Sequence, residues 1–163
     1  MKGIRSRAPL ATSEHVRRVM QANVGRETAV EKRLRSAVHK AGLRYRKNAV
    51  VHEGVRCKAD LVFRTARVCV FVDGCFWHGC PLHFKVPQSN SSWWHEKIGE
   101  TMVRDQRQAD LLMRHGWRVL RFWEHELGTD HLPSVVARIS RAVRRTRTRC
   151  AYRVKRRRTA ARR

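Results

Sequence analysis

Acidic residues are scarce in this chain. Asp and Glu number 13 against 37 Lys and Arg over 163 residues, a formal net charge of +24. That imbalance predicts attraction to polyanions, most commonly nucleic acid. Part of it sits at the C-terminus, where 141–163 carry 12 basic residues and no acid. Without them the count is still 25 against 13, so the inference does not depend on the tail. There is no apolar run of 18 residues, so no membrane-spanning helix and no membrane partner are expected. The opening MKGIRSRAPLATSEH lacks the apolar centre of a secretory signal, and a cytoplasmic place is expected. Internal repeats are missing, as are Gly-rich phosphate loops of either common type.

The length suits one domain with a hydrophobic core. The expected organisation is a basic, flexible 1–12, a domain over 13–140 and a basic, disordered tail over 141–163. A short helix is predicted over 13–22, with Val16, Val19 and Met20 on one side. Thr28 and Glu31 form a capping box that opens a second helix, which Gly42 ends. Residues 43–58 read as a strand with a loop. Ala59–Phe63 and Val68–Val72 read as a hairpin with its centre near residue 66, which sets Asp60 almost opposite Asp73. A long loop over 74–92 leads into a helix from Trp93 to His115. Its stripe is Trp94, Ile98, Met102, Asp105, Ala109, Leu112 and Met113. A strand over 117–123 and a helix over 131–143 complete the pattern.

The richest stretch is VCVFVDGCFWHGCPLH, residues 68–83. A buried strand delivers Asp73 to a loop that holds two Cys, two His, a Phe and a Trp. The five Cys are an odd number. Cys69 lies inside an apolar strand and reads as a buried thiol. Cys75, Cys80 and His83 are compact borderline-soft ligands suited to tetrahedral zinc, and His125, just after a strand, is the expected fourth. His78 is a poorer fit because one residue separates it from Cys80. The bland alternative is a pair of buried thiols with surface histidines.

Asp60 and Asp73 at one end of a hairpin repel unless a cation lies between them, and hard oxygen donors suit Mg2+. Their alternative is two solvated strand ends. Five residues beyond Asp73, His78 has the chemistry of a general acid–base, and spacing leaves catalysis and zinc ligation equally open. Phe76, Trp77 and Trp94 can stack on bases or wedge between them, or pack a core.

These residues carry a resemblance. FVDGCFWHGCP (71–81), Ala59-Asp60-Leu61-Val62, the helix TAVEKRLR (28–35), W-x-x-K-I (94–98), R-D (104–105) and GWRVLRFWE (116–124) resemble the very short patch repair endonucleases, in the expected order over about 13–127. The family implies a restriction-endonuclease-like α/β fold, a central mixed β-sheet flanked by α-helices, with a structural zinc site. It implies Mg2+-dependent nicking of duplex DNA beside the T of a T:G mismatch, the lesion left when 5-methylcytosine deaminates. By motif, Asp60 and the main chain at Val72 would hold Mg2+ and His78 would be the catalytic histidine, with Asp73 beside it. Glu31 would help order the site. Phe76, Trp77 and Trp94 would enter the duplex.

Mismatch-repair proteins and a repair polymerase are the further partners expected, and the form expected is a monomer. Three departures stand out. His125 replaces a common Cys, the ligand loop carrying Cys80 and His83 is spaced differently from some members, and Thr101 stands where Asn is frequent. A non-catalytic, zinc-stabilised DNA-binding module is the competing reading, and an RNA-binding protein is a third.

Overall fold

The computed structural model describes residues 28–145, together with Glu14 and Arg18. Helix α1 runs Ala29–Lys40, followed by strands β1 (Arg46–His52), β2 (Val55–Phe63) and β3 (Val68–Asp73). Helix α2 is Ser91–Arg114 and strand β4 is Arg118–Trp123. A short 3-10 turn, Glu124–Leu127, leads to helix α3, described over 132–145. Of the helix expected over 13–22, Glu14 and Arg18 are helical, and Val16, Val19 and Met20 lie outside the described residues. So do 1–12 and 146–163. The final helix continues past the expected boundary at 140, and Ala142 and Val143 are buried in it. No helix among the described residues is long and apolar enough to cross a membrane.

The sheet order is β1-β2-β3-β4, with the first two pairings antiparallel and β3–β4 parallel. Apolar side chains cover both faces. Leu61, Phe63, Val68 and Val70 pack with Leu34 and Val38 of α1 and with Val135 and Ile139 of α3. On the other face Val51, Val55, Val62 and Cys69 pack with Leu112 of α2 and with Trp117. This mixed sheet between helices is an α/β layering compatible with the expected nuclease fold. Cys69 is the buried thiol the sequence implied.

The Thr28 half of the capping box forms, with Glu31 N–H donating to Thr28 Oγ1 at 3.2 Å; the Glu31 carboxylate accepts from the Thr28 hydroxyl at 3.1 Å instead of from its backbone N–H. Residues 43–58 differ from expectation. They form β1 and the first half of β2, joined in a second hairpin, because Arg56 and Lys58 take the exposed positions of a half-buried strand. Helix α2 starts two residues earlier than predicted. Met102 and Met113 leave the core at 51% and 50% exposure, because they lie at the edge of the buried arc.

One irregularity positions the site. Val55 and Ala59 face α2, whereas Leu61 and Phe63 face α1 and α3, so the alternation of β2 changes phase at Asp60. The register sets Asn48 opposite Asp60, since its neighbours pair as Lys47↔Leu61 and Ala49↔Ala59. Asn48 has φ 45°, the left-handed conformation that Asn tolerates better than most residues. The hairpin therefore twists where it carries its carboxylate.

Candidate active site and metal centre

Asp60 stands where the β2–β3 ladder ends. The last pair on that side is Leu61↔Val70, and the Val72 N–H beyond it donates to Asp60 Oδ2 at 2.7 Å. Burial, with Glu31 and Asp73 adding negative charge, pushes the Asp60 carboxyl up to about 6, although the Val72 bond pulls it down. Glu31 is itself buried and also bonded to Arg35 at 3.5 Å. Asp60 is thus a buried carboxyl whose acidic neighbours already hold guanidinium groups, Glu31 with Arg35 and Asp73 with Arg121. A carboxylate oxygen is the hard kind of donor that suits a divalent cation.

Asp73 corrects the expected pairing. Continuing the register sets Asp60 against Phe71, and Asp73 lies farther along. Its carboxylate is gripped by Arg121, Nε to Oδ2 at 2.7 Å and Nη2 to Oδ1 at 2.6 Å. A guanidinium touches Asp73 directly. The two acids still feel one another electrostatically.

His78 lies in this second cluster. Its Nδ1 is 2.5 Å from Asp105 Oδ2 and 3.7 Å from Asp73 Oδ1. Arg121 Nη2 also reaches Asp105 Oδ2 at 3.0 Å, and Arg104 holds Asp105 Oδ1 at 2.8 Å. Burial works against the Asp105 carboxylate. The bonds from His78 and Arg104, with the charge of Arg121, outweigh it and hold the group down at about 2. An ionised carboxylate on Nδ1 favours the tautomer with Nδ1–H and leaves Nε2 able to take or give a proton. Sequence reasoning assigned no role to Asp105 or Arg121. One signal was available for Asp105, an acid on the apolar stripe of α2. Arg121 on β4 gave none.

The four soft donors assemble separately. Cys75, Cys80, His83 and His125 place one ligand atom each within 4.8 Å of one another, and His78 is not among them. The S···N separations are 3.2 Å (Cys75–His125), 3.6 Å (Cys80–His83), 3.8 Å (Cys80–His125) and 3.9 Å (Cys75–His83). Metal–ligand bonds of about 2.3 Å to sulfur and 2.0–2.1 Å to nitrogen, at tetrahedral angles, place S and N roughly 3.6 Å apart. The donors fit one tetrahedral ion. The loop is fixed elsewhere too: Cys75 N–H donates to Glu124 Oε1 at 3.1 Å, and Gly79 has φ +68°. A Cβ on Gly79 would stand 2.8 Å from Met102 Sδ and 3.0 Å from Ile98 Cγ2, so the loop lies tight against α2.

The aromatics form one cluster beside the loop. Phe76 is 5.1 Å from Trp77 and 5.1 Å from Trp94 by ring centroids, and Trp93 is 4.7 Å from Trp94. Trp94 is buried, as core packing requires, whereas Trp77 is 39% exposed. Thr101 turns its hydroxyl to the Lys97 carbonyl at 3.0 Å.

The chain is also similar in sequence to known proteins. Residues 10–83 match the family described as DNA mismatch endonuclease Vsr. The chain is 46% identical over 121 residues to the type II nicking enzyme V.NaeI of Lentzea aerocolonigenes, spanning 73% of each chain. It is 42% identical over 107 residues to the DNA mismatch endonuclease Vsr of Escherichia coli, spanning 64% of this chain and 66% of that one. A type II nicking enzyme of Xanthomonas oryzae, V.XorIIP, is 38% identical over 116 residues, or 70% of this chain and 82% of the relative.

Proposed function

The chain belongs to the Vsr family of DNA endonucleases, and from that premise we propose that it nicks one strand of duplex DNA beside the T of a T:G mismatch. The observation that carries the reading is the buried Asp60 carboxyl together with a His78 ring held by Asp105. A carboxylate can hold a divalent cation and an imidazole can move a proton, and both serve phosphodiester hydrolysis. The relatives' names as mismatch endonuclease and nicking enzymes support the substrate and the single-strand outcome.

Mg2+ is the proposed cation, held by Asp60 and the Val72 carbonyl, with Glu31 ordering the pocket. When bound, it would polarise the scissile phosphate and lower the pKa of attacking water. His78 exchanges a proton through Nε2 while Asp105 holds Nδ1. Asp73 supports the ring and is itself fixed by Arg121. Zinc is the proposed ion for Cys75, Cys80, His83 and His125, where two thiolates and two imidazoles make a closed structural set. When bound there, it would brace the loop on which Phe76, Trp77 and His78 are carried. Trp77 enters the duplex beside the mismatch, with Phe76 and Trp94 packed behind it. A repair polymerase and mismatch-repair proteins are the proposed downstream partners.

The test is a labelled T:G duplex with Mg2+, against a matched control. Asp60→Ala and His78→Ala should each abolish nicking and leave duplex binding largely intact. Wild-type rates in either variant, or equal cleavage of matched and mismatched DNA, would sink the corresponding assignment.

A further inference from the structure

Asp73, His78 and Asp105 bring three ligating atoms within 4.8 Å of one another, a grouping that could itself hold a metal ion. Arg121 occupies that opportunity. Its Nη2 touches Asp73 Oδ1 at 2.6 Å and Asp105 Oδ2 at 3.0 Å, while Nε takes the remaining oxygen of Asp73 at 2.7 Å. The guanidinium is about one quarter exposed and rests over the Phe71 ring, 5.2 Å from its centroid. A planar fork in this position is directional in a way that a metal ion or a lysine is not. The oxygen it holds on Asp105 is the one facing His78 Nδ1.

We propose that Arg121 is a positioning residue for strand scission. By clamping Asp73 and Asp105 together, it fixes the Asp105 rotamer that orients His78, and it keeps metal ions out of the cluster. The inference rests on the reading of His78 as the proton-transferring group. It assigns to β4 a part in the reaction that the Cys- and His-rich loop does not supply. Two carboxylates this close to one imidazole need a cation, and the fold provides it covalently instead of drawing it from solution.

The test compares wild type with Arg121→Met and Arg121→Lys in the full chain, with His78→Ala alongside. Single-turnover nicking of the T:G duplex should fall about a hundred-fold in Arg121→Met, the scale of a misplaced general acid–base group. Duplex Kd should stay within about three-fold, because Arg121 is spent on carboxylates and not on phosphate. Added guanidinium should restore part of the rate, a recovery that a misfolded chain would not show. Imidazole nitrogen NMR should lose the hydrogen-bonded Nδ1–H signature of His78. Mn2+ titration should reveal one more site than in wild type.

Arg121→Lys, which keeps the charge without the fork, should remain folded and fall between the two in rate. It carries the comparison if the Met variant is unstable. A rate in both variants within about three-fold of wild type overturns the proposal, as does a Kd that rises in step with the lost rate. An unaltered His78 signature with no gain in Mn2+ sites does the same. If His78→Ala remains active, the reading of the histidine fails instead, and the two failures are distinguishable.

Discussion

At the residue scale the site holds charge in a costly state. The Asp60 carboxyl is raised to about 6 by burial and by the neighbouring acids. A raised carboxylate makes the folded chain bind more protons than the unfolded one between about pH 4 and pH 6, so this group lowers stability as pH rises through that window. In divalent-free buffer at pH 7, Asp60→Asn should therefore stabilise the protein by roughly 2 kcal/mol, visible as a higher Tm. Mg2+ should raise the Tm of wild type and leave that of Asp60→Asn unmoved. A Tm that falls in the variant would show that the acid is already compensated. Asp60 stands out in the sequence as an acid leading an apolar run, and His78 as an imidazole on a Cys- and His-rich loop, where spacing alone leaves catalysis and zinc ligation equally open. Their supports do not stand out. Asp105 lies 27 positions from His78 and Arg121 lies 48 from Asp73, and no local period brings them together.

At the scale of elements, two devices aim those residues. One is the soft-donor loop. His125→Ala should cost bound zinc and nicking together, while His125→Cys should keep about one equivalent, since three Cys and one His also close a structural site. Metal analysis of untagged protein reads both, and full zinc in His125→Ala would exclude His125 as a ligand. The other device is the twist at Asn48, opposite Asp60. Asn48→Gly keeps the left-handed backbone available, whereas Asn48→Val forces a β-branched residue into it at a cost of about 1–3 kcal/mol. The expected result is near-normal Mg2+-dependent nicking in Asn48→Gly and weakened Mg2+ dependence in Asn48→Val. Equal activity would mean that Asp60 is aimed by Val72 alone. The β2–β3 hairpin was readable from its two apolar runs. The phase change at Asp60 was not, because Asn48 discloses itself through a dihedral angle and not through composition. That one-step change also explains why Asp60 and Asp73, nearly opposite by counting, hold different partners.

At the scale of the whole molecule the net charge of +24 governs encounter with DNA more than the chemistry. Each neutralised phosphate adds about −0.9 to the slope of log affinity against log salt. Binding should therefore fall steeply between low and moderate ionic strength. Residues 146–163 contribute nine of the basic side chains and follow every donor and carboxylate of the site in the sequence. Truncation after Arg145 should weaken duplex binding and flatten the salt slope. The ratio of rates on T:G and matched duplexes should be unchanged, because contacts to phosphate carry no base information. A filter-binding series over salt gives the slope, and single-turnover nicking gives the ratio. If the ratio collapses while the slope holds, the C-terminal segment reads the mismatch. Discrimination would then belong to it instead of to the exposed Trp77 on the metal-braced loop, and charge and recognition could no longer be assigned to separate parts of the chain.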